Sequence, residues 1–184
     1  MKVIGLCGSL RRESYNRKLL REAIRLAPET MALELYEIGN LPMMNEDLEE
    51  GGFPLEVQRL MDAVSEADAV LIVSPEYNGS LSPVLKNAVD WLSRAPRNRV
   101  LSDKPAAIMG ASTGYLGTSQ MQKELRGVLS KLNMHPLSRP VFILPHSKEQ
   151  FTPEGRLTDP GKTAKVGALL EALEQWTLRL KSEV

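Results

Sequence analysis

The chain has 184 residues, 23 basic against 23 acidic, with two histidines and one cysteine. That length suits one ordinary domain, residues 1–184, able to bury a core without disulfides or structural metal. The balanced charge offers no field to recruit nucleic acid or an anionic membrane surface. A single thiol excludes an internal disulfide framework and fits a reducing compartment, so the expected location is cytoplasmic. No run approaches the roughly 20 apolar residues of a membrane span, and the chain opens without a secretory signal, so the mature protein is expected to begin at Met1. His135 and His146 lack the spacing of a zinc site, and no metal is expected.

Val3-Ile4-Gly5-Leu6-Cys7 is a nearly continuous apolar run, the pattern of a parallel strand covered on both faces. Cys7 within it is read as packing, because a thiolate there would be costly. Leu19, Leu20, Ala23, Ile24 and Ala27 then recur at helical spacing. Met31 to Ile38 alternates as a peripheral strand does, and Val57, Leu60, Met61 and Val64 mark a second helix. Ala69 to Val73 is another apolar strand, followed by a helix through Leu85, Ala88, Val89 and Leu92 that Ser82 and Pro83 would cap and open. Ala106 to Gly110 is a fourth strand, and Met121, Leu125, Val128, Leu129 and Leu132 a fourth helix. Met134 to Leu144, interrupted by Pro136 and Pro140, is a weaker last strand. Val166, Leu169, Leu170, Leu173, Trp176 and Leu180 give a last helix, with Asp159 before Pro160 at its start. Five βα units most simply build an α/β, flavodoxin-like, open doubly wound parallel sheet of five strands in the order 2-1-3-4-5, with helices on both faces. A closed eight-fold barrel would need more chain. Ligands of such sheets sit beyond the carboxyl ends of the strands, where the order switches.

Three loops therefore decide function. The first, Gly8-Ser9-Leu10-Arg11-Arg12-Glu13-Ser14-Tyr15-Asn16, leads directly into a helix. Backbone N–H groups, the helix dipole, the side chains of Ser9, Ser14 and Asn16, and the Arg11 guanidinium suit a phosphate. A polar loop in which Ser14 or Asn16 merely caps the helix explains the same residues. Neither a P-loop nor a Gly-x-Gly-x-x-Gly pattern is present, so a monophosphate fits better than a triphosphate or dinucleotide. The second loop, Ser74-Pro75-Glu76-Tyr77-Asn78-Gly79-Ser80, can lay amides and a tyrosine along a flat heterocycle, or be a solvated loop closing in a tight Asn78-Gly79 turn. The third, Ala111-Ser112-Thr113-Gly114-Tyr115-Leu116-Gly117-Thr118, has glycines that permit close backbone approach, although a helix cap at Ser119 accounts for it nearly as well.

At these loops the sequence resembles the NADPH-dependent FMN reductase family, flavodoxin-like proteins that include chromate, quinone and azo-dye reductases. The likeness rests on Gly8-Ser9-Leu10-Arg11 with Ser14 and Asn16, and on Pro75-Glu76-Tyr77-Asn78 followed by Leu85-Lys86-Asn87-Ala88 and Asp90-Trp91. It implies FMN as bound cofactor, with Ser9, Arg11, Ser14 and Asn16 on the phosphate and Tyr15 beside them. Pro75, Glu76, Tyr77 and Asn78 would line the ribityl chain and ring, and Ser112 and Gly114 would close the pyrimidine end. NADPH or NADH would be the co-substrate, and a quinone, chromate, an azo compound or free flavin the small-molecule acceptor. No catalytic side chain is assigned, since the flavin carries the chemistry. Leu41-Pro42 with Asn45-Glu46-Asp47 resembles the loop that in relatives contributes to a dimer, so a homodimer or homotetramer is implied, while Met43 and Met44 also read as an ordinary surface loop. The third loop departs from relatives at Thr118 and Gln120. For a nicotinamide 2′-phosphate, Arg11 or Arg12 is one candidate and Arg94, Arg97 and Arg99 another, the latter also explained as a solvated face. The alternatives are an electron carrier of the flavodoxin kind docking on proteins, disfavoured by the neutral charge, and a flavin-free interaction module.

Overall fold

A computed structural model describes residues 1–95 and 100–182. Its elements follow the expected alternation: β1 (Lys2–Cys7), α1 (Tyr15–Leu26), β2 (Ala32–Tyr36), α2 (Leu55–Glu66), β3 (Ala69–Val73), α3 (Pro83–Ser93), β4 (Pro105–Ala111), α4 (Ser119–Lys131), β5 (His135–Pro136), β6 (Phe142–Leu144) and α5 (Pro160–Ser182). The sheet is parallel in the order β2-β1-β3-β4-β5, with β6 also on β4. One detail differs from expectation, because the weak fifth strand is two short pieces. His135 and Pro136 pair with Pro105 and Ala106, whereas Phe142 to Leu144 pair with Met109 to Ala111. Pro136 and Pro140 have no N–H to give to a ladder, so one continuous strand over this stretch is ruled out.

Alternation along the central strands fills two cores. Ile4, Leu6, Val70, Ile72, Ala106 and Ile108 face α2, α3 and α4, where Leu60, Trp91 and Leu125 are fully buried. Val3, Cys7, Leu71, Val73, Ala107 and Met109 face the other way onto Leu19 and Leu20 of α1 and Leu169 and Leu170 of α5. Strands so covered explain why their sequence is apolar throughout. The proposed caps form: Ser82 Oγ accepts from the Leu85 N–H at 3.3 Å, and Asp159 Oδ1 accepts from the Gly161 N–H at 2.8 Å. α4 begins at Ser119, but its capping group is neither Ser119 nor the Thr118 side chain.

The ladder runs one residue past the strand ends. Gly8 N–H donates to Val73 O at 2.9 Å, Ser74 N–H to Met109 O at 3.2 Å and Ser112 N–H to Leu144 O at 3.0 Å. The loops after β1, β3, β4 and β6 therefore leave the sheet side by side. Gly8 is required at this seam, since a Cβ there would lie 2.4 Å from the Ser74 hydroxyl oxygen and 2.8 Å from that of Ser82.

Candidate functional site

The four loops enclose a cleft of about 200 Å³ lined by Ser9, Arg11, Ser14, Tyr15, Asn16, Pro75, Glu76, Tyr77, Ala111, Ser112, Thr113 and Ser147. Most of the residues singled out from the sequence thus meet on one side of the molecule, but their individual duties vary.

In the β1 loop, Ser9 is buried and Arg11 exposed, its guanidinium 5.8 Å from the Tyr15 ring centre. Among the described residues, no hydrogen bond outside the helices and strands uses the N–H of Ser9, Leu10, Arg11, Arg12 or Glu13. These donors, at the positive end of α1, suit an anion. Ser14 is the N-cap of α1, its Oγ accepting from Arg17 N–H at 3.2 Å, which leaves its own proton to give elsewhere. Asn16 has a structural task. Its amide donates to Ala111 O at 2.9 Å while its carbonyl accepts from Ala111 N–H at 2.8 Å, both buried, so it clamps the start of α1 to the end of β4. Tyr15 stacks on Phe151, centres 6.0 Å apart.

In the β3 loop, Pro75 is buried and Tyr77 44% exposed. Asn78 and Gly79 have φ of 52° and 77°, and Tyr77 and Ser80 pair across them, so these two form the tight turn and neither lines the cleft. Glu76 caps α4: its Oε2 accepts from the N–H groups of Gln120 at 2.8 Å and Met121 at 2.9 Å. A carboxylate at a helix N-terminus is favoured by the dipole, and here it ties the second loop to the element after the third. In that third loop Ser112 Oγ accepts from the Gly114 N–H at 3.2 Å, and Gly114 stands outside the cleft lining. Gly117 has a steric reason of its own, with φ of 63° and an added Cβ falling 2.3 Å from Ile143.

Ala111, Thr113 and Ser147 line the cleft without having been singled out. The first two flank Ser112 and were legible from the loop as a whole. Ser147 follows the broken last strand and carried no motif.

The remaining family-like residues brace the loop after β2. Asn87 donates to Pro42 O at 2.9 Å and accepts from Met44 N–H at 2.7 Å, and the Trp91 indole also donates to Pro42 O at 2.8 Å. Arg94 is engaged by Glu49 at 2.6 Å and Glu46 at 3.5 Å, and Arg97 and Arg99 lie outside the described residues. Burial pushes the Cys7 thiol above its ordinary value, as packing requires. Among the described residues no group of three His, Cys, Asp or Glu side chains can hold a metal, and no helix is long and apolar enough to cross a membrane.

Comparison with known proteins joins these features. The NADPH-dependent FMN reductase family model matches residues 1–149. The chain is 44% identical to an NAD(P)H-dependent FMN reductase of Pseudomonas aeruginosa, covering 98% of this chain and 97% of the relative. It is 40% identical to an NAD(P)H:quinone oxidoreductase of Solanum tuberosum, covering 100% and 96%. Among solved structures, the flavoenzyme NAD(P)H:acceptor oxidoreductase FerB of Paracoccus denitrificans superposes with a TM-score of 0.89 at 32% identity over 97% of each chain. With its phosphate-loop and Pro-Glu-Tyr-Asn signatures standing on adjacent loops of a 2-1-3-4-5 sheet, the chain belongs to the NADPH-dependent FMN reductase family and is an oxidoreductase.

Proposed function

We propose that the chain holds FMN across the loops after β1, β3 and β4 and uses NADPH or NADH to reduce a small acceptor of the quinone class. The observation that carries this reading is the set of unengaged N–H donors from Ser9 to Glu13 at the start of α1, of which Ser9 and Arg11 line the same cleft as Pro75, Tyr77 and Ser112. The residues fit the cofactor: Arg11 and the loop amides answer a dianion, with the Ser9 and Ser14 hydroxyls beside them. A cleft of about 200 Å³ lies below the usual range of roughly 300–1,000 Å³ for ligand sites. It suits the phosphate and ribityl chain, leaving the ring on the open side between Tyr77 and the Ser112–Gly114 segment, within reach of an acceptor.

When bound, FMN supplies the transfer of electrons from reduced nicotinamide to the acceptor. The protein's part is placement. Asn16 and Glu76 fix the loops relative to one another, so their role in cofactor binding is to position, and Asn78 acts through the turn it forms. Arg11 and Arg12, both exposed, remain the candidates for a nicotinamide 2′-phosphate. The exposed side chains Leu10, Met43, Tyr115 and Leu116 support a homodimer or homotetramer, and the shared sheet supports one domain over residues 1–184. The cytoplasm fits the buried, unpaired Cys7.

The test is anaerobic mixing of the FMN-loaded protein with NADPH or NADH while following flavin absorbance, then addition of a benzoquinone. Bleaching by a reduced nicotinamide and recolouring by the quinone is expected. A protein that takes up no FMN, or a bound flavin that neither nicotinamide bleaches, would contradict the reading.

A further inference from the structure

Among the described residues, two buried side-chain polar atoms have no hydrogen-bond partner, Gln122 Oε1 and Ser147 Oγ. Gln122 lies away from the cleft and anchors its amide on Phe142 O at 2.8 Å. Ser147 is fully buried, yet it lines the cleft. A hydroxyl so placed forfeits its bonds to water without recovering one in the protein, which costs stability unless something else completes it.

Its surroundings say what that partner is. His146, with φ of 49°, turns the chain sharply after β6 and starts a 3₁₀ turn at Ser147–Glu149. Ser147 N–H donates to Ser112 O at 3.0 Å, hooking the turn to the third loop. Phe151, just beyond, stacks on Tyr15, the first residue of α1. The turn is therefore held against the helix whose N-terminus offers the unengaged amides. Of the groups that share the cleft, Ser9, Arg11 and Ser14 can donate, while the Glu76 carboxylate is engaged by the N–H groups of Gln120 and Met121, so a further hydroxyl proton at this position adds to a set addressed to an acceptor-rich ligand group.

Resting on the FMN reading, we infer that Ser147 is a fourth-loop member of the phosphate cradle, its hydroxyl donating to the terminal phosphate of the cofactor. The loop after β6 thereby joins the loops after β1 and β4 in binding.

The test compares the full-length protein with Ser147→Ala and Ser147→Gly. Equilibrium affinities for FMN and for riboflavin, which lacks the phosphate, are read by flavin fluorescence, and thermal unfolding of the flavin-free proteins is followed alongside. FMN affinity should fall about tenfold in Ser147→Ala, riboflavin affinity should stay within about twofold, and the flavin-free melting temperature should hold within about 2 °C or rise. Ser147→Gly should show the same FMN loss if Ser147→Ala cannot be prepared. Equal losses for both flavins would move the hydroxyl away from the phosphate and overturn the inference, as would unchanged FMN affinity with a lowered melting temperature, which marks a structural serine. Wild type failing to bind either flavin would instead sink the FMN reading, and this inference with it.

Discussion

The two ends of the sheet differ in a way that cavity size alone would misread. Below the amino ends of the strands lies the larger cavity, about 610 Å³, bordered by Asp68, Asp103, Lys104, His135 and Lys181. Its charges answer one another. Lys181 meets Asp68 at 2.5 Å, His135 meets Asp103 at 3.3 Å, and Lys104, whose pKa burial lowers, donates to Ala67 O at 2.5 Å. The carboxyl end has a cleft a third as large, yet there a run of backbone donors and a buried hydroxyl stand without partners. Native proteins rarely leave a buried hydroxyl such as that of Ser147 unmade, so an unmade bond rather than volume distinguishes the carboxyl end.

The comparison breaks most visibly at its clamps. Asn16→Ala would delete two buried hydrogen bonds and leave both polar groups of Ala111 unpaired, so the loss should reach about 3 kcal/mol in urea unfolding. A loss below about 1 kcal/mol would mean the amide does not hold α1 to β4. Next comes Arg11→Ala, an exposed position where stability should stay within about 0.5 kcal/mol while FMN affinity falls roughly tenfold or more. Glu76→Gln replaces the charged cap of α4 by a neutral one and should cost about 1 kcal/mol, with FMN affinity falling modestly because two loops lose their tie. At the opposite end, Asp103→Asn neutralises an exposed carboxylate shared by His135 and the Asn133 amide and should change neither stability beyond about 0.5 kcal/mol nor flavin affinity.

The last effect depends on pH. Arg17 holds the Glu37 carboxyl below the ordinary carboxylate range. A carboxylate depressed in the folded state contributes its stability above its unfolded value and loses it as pH falls through the folded one. Glu37 is half exposed, so Glu37→Gln should cost at most about 1 kcal/mol at neutral pH. The difference from wild type should shrink as pH falls below the ordinary carboxylate value of about 4 and vanish below the lower folded one. A difference that persists in acid would assign the loss to packing.

The fold was legible because its signals are periodic. Apolar runs at Lys2–Cys7, Ala69–Val73 and Pro105–Ala111, with helical stripes between them, leave one simple arrangement of strands and helices. The fifth strand was blurred where prolines remove ladder donors, and its division into two pieces follows from pairing with β4, which no local pattern encodes. In the cleft, residue type announced the location but not the duty. Ser9 and Arg11 face the cleft as their chemistry suggests, whereas Asn16 and Glu76, equally polar, are engaged by backbone of an element about 95 or 44 positions away. Such partners are invisible until the chain is folded. Ser147 went unseen for the same reason, since its importance lies in a bond it does not make within the protein.

On the proposed reading, the β1–α1 turn receives the terminal phosphate of a flavin. Isothermal titration of wild type and Arg11→Ala with FMN and with riboflavin tests it most directly. Wild type should prefer FMN by tenfold or more, and the substitution should erase most of that preference while leaving riboflavin binding alone. A preference that survives intact in Arg11→Ala, or no preference in wild type, would place the phosphate elsewhere and contradict the account.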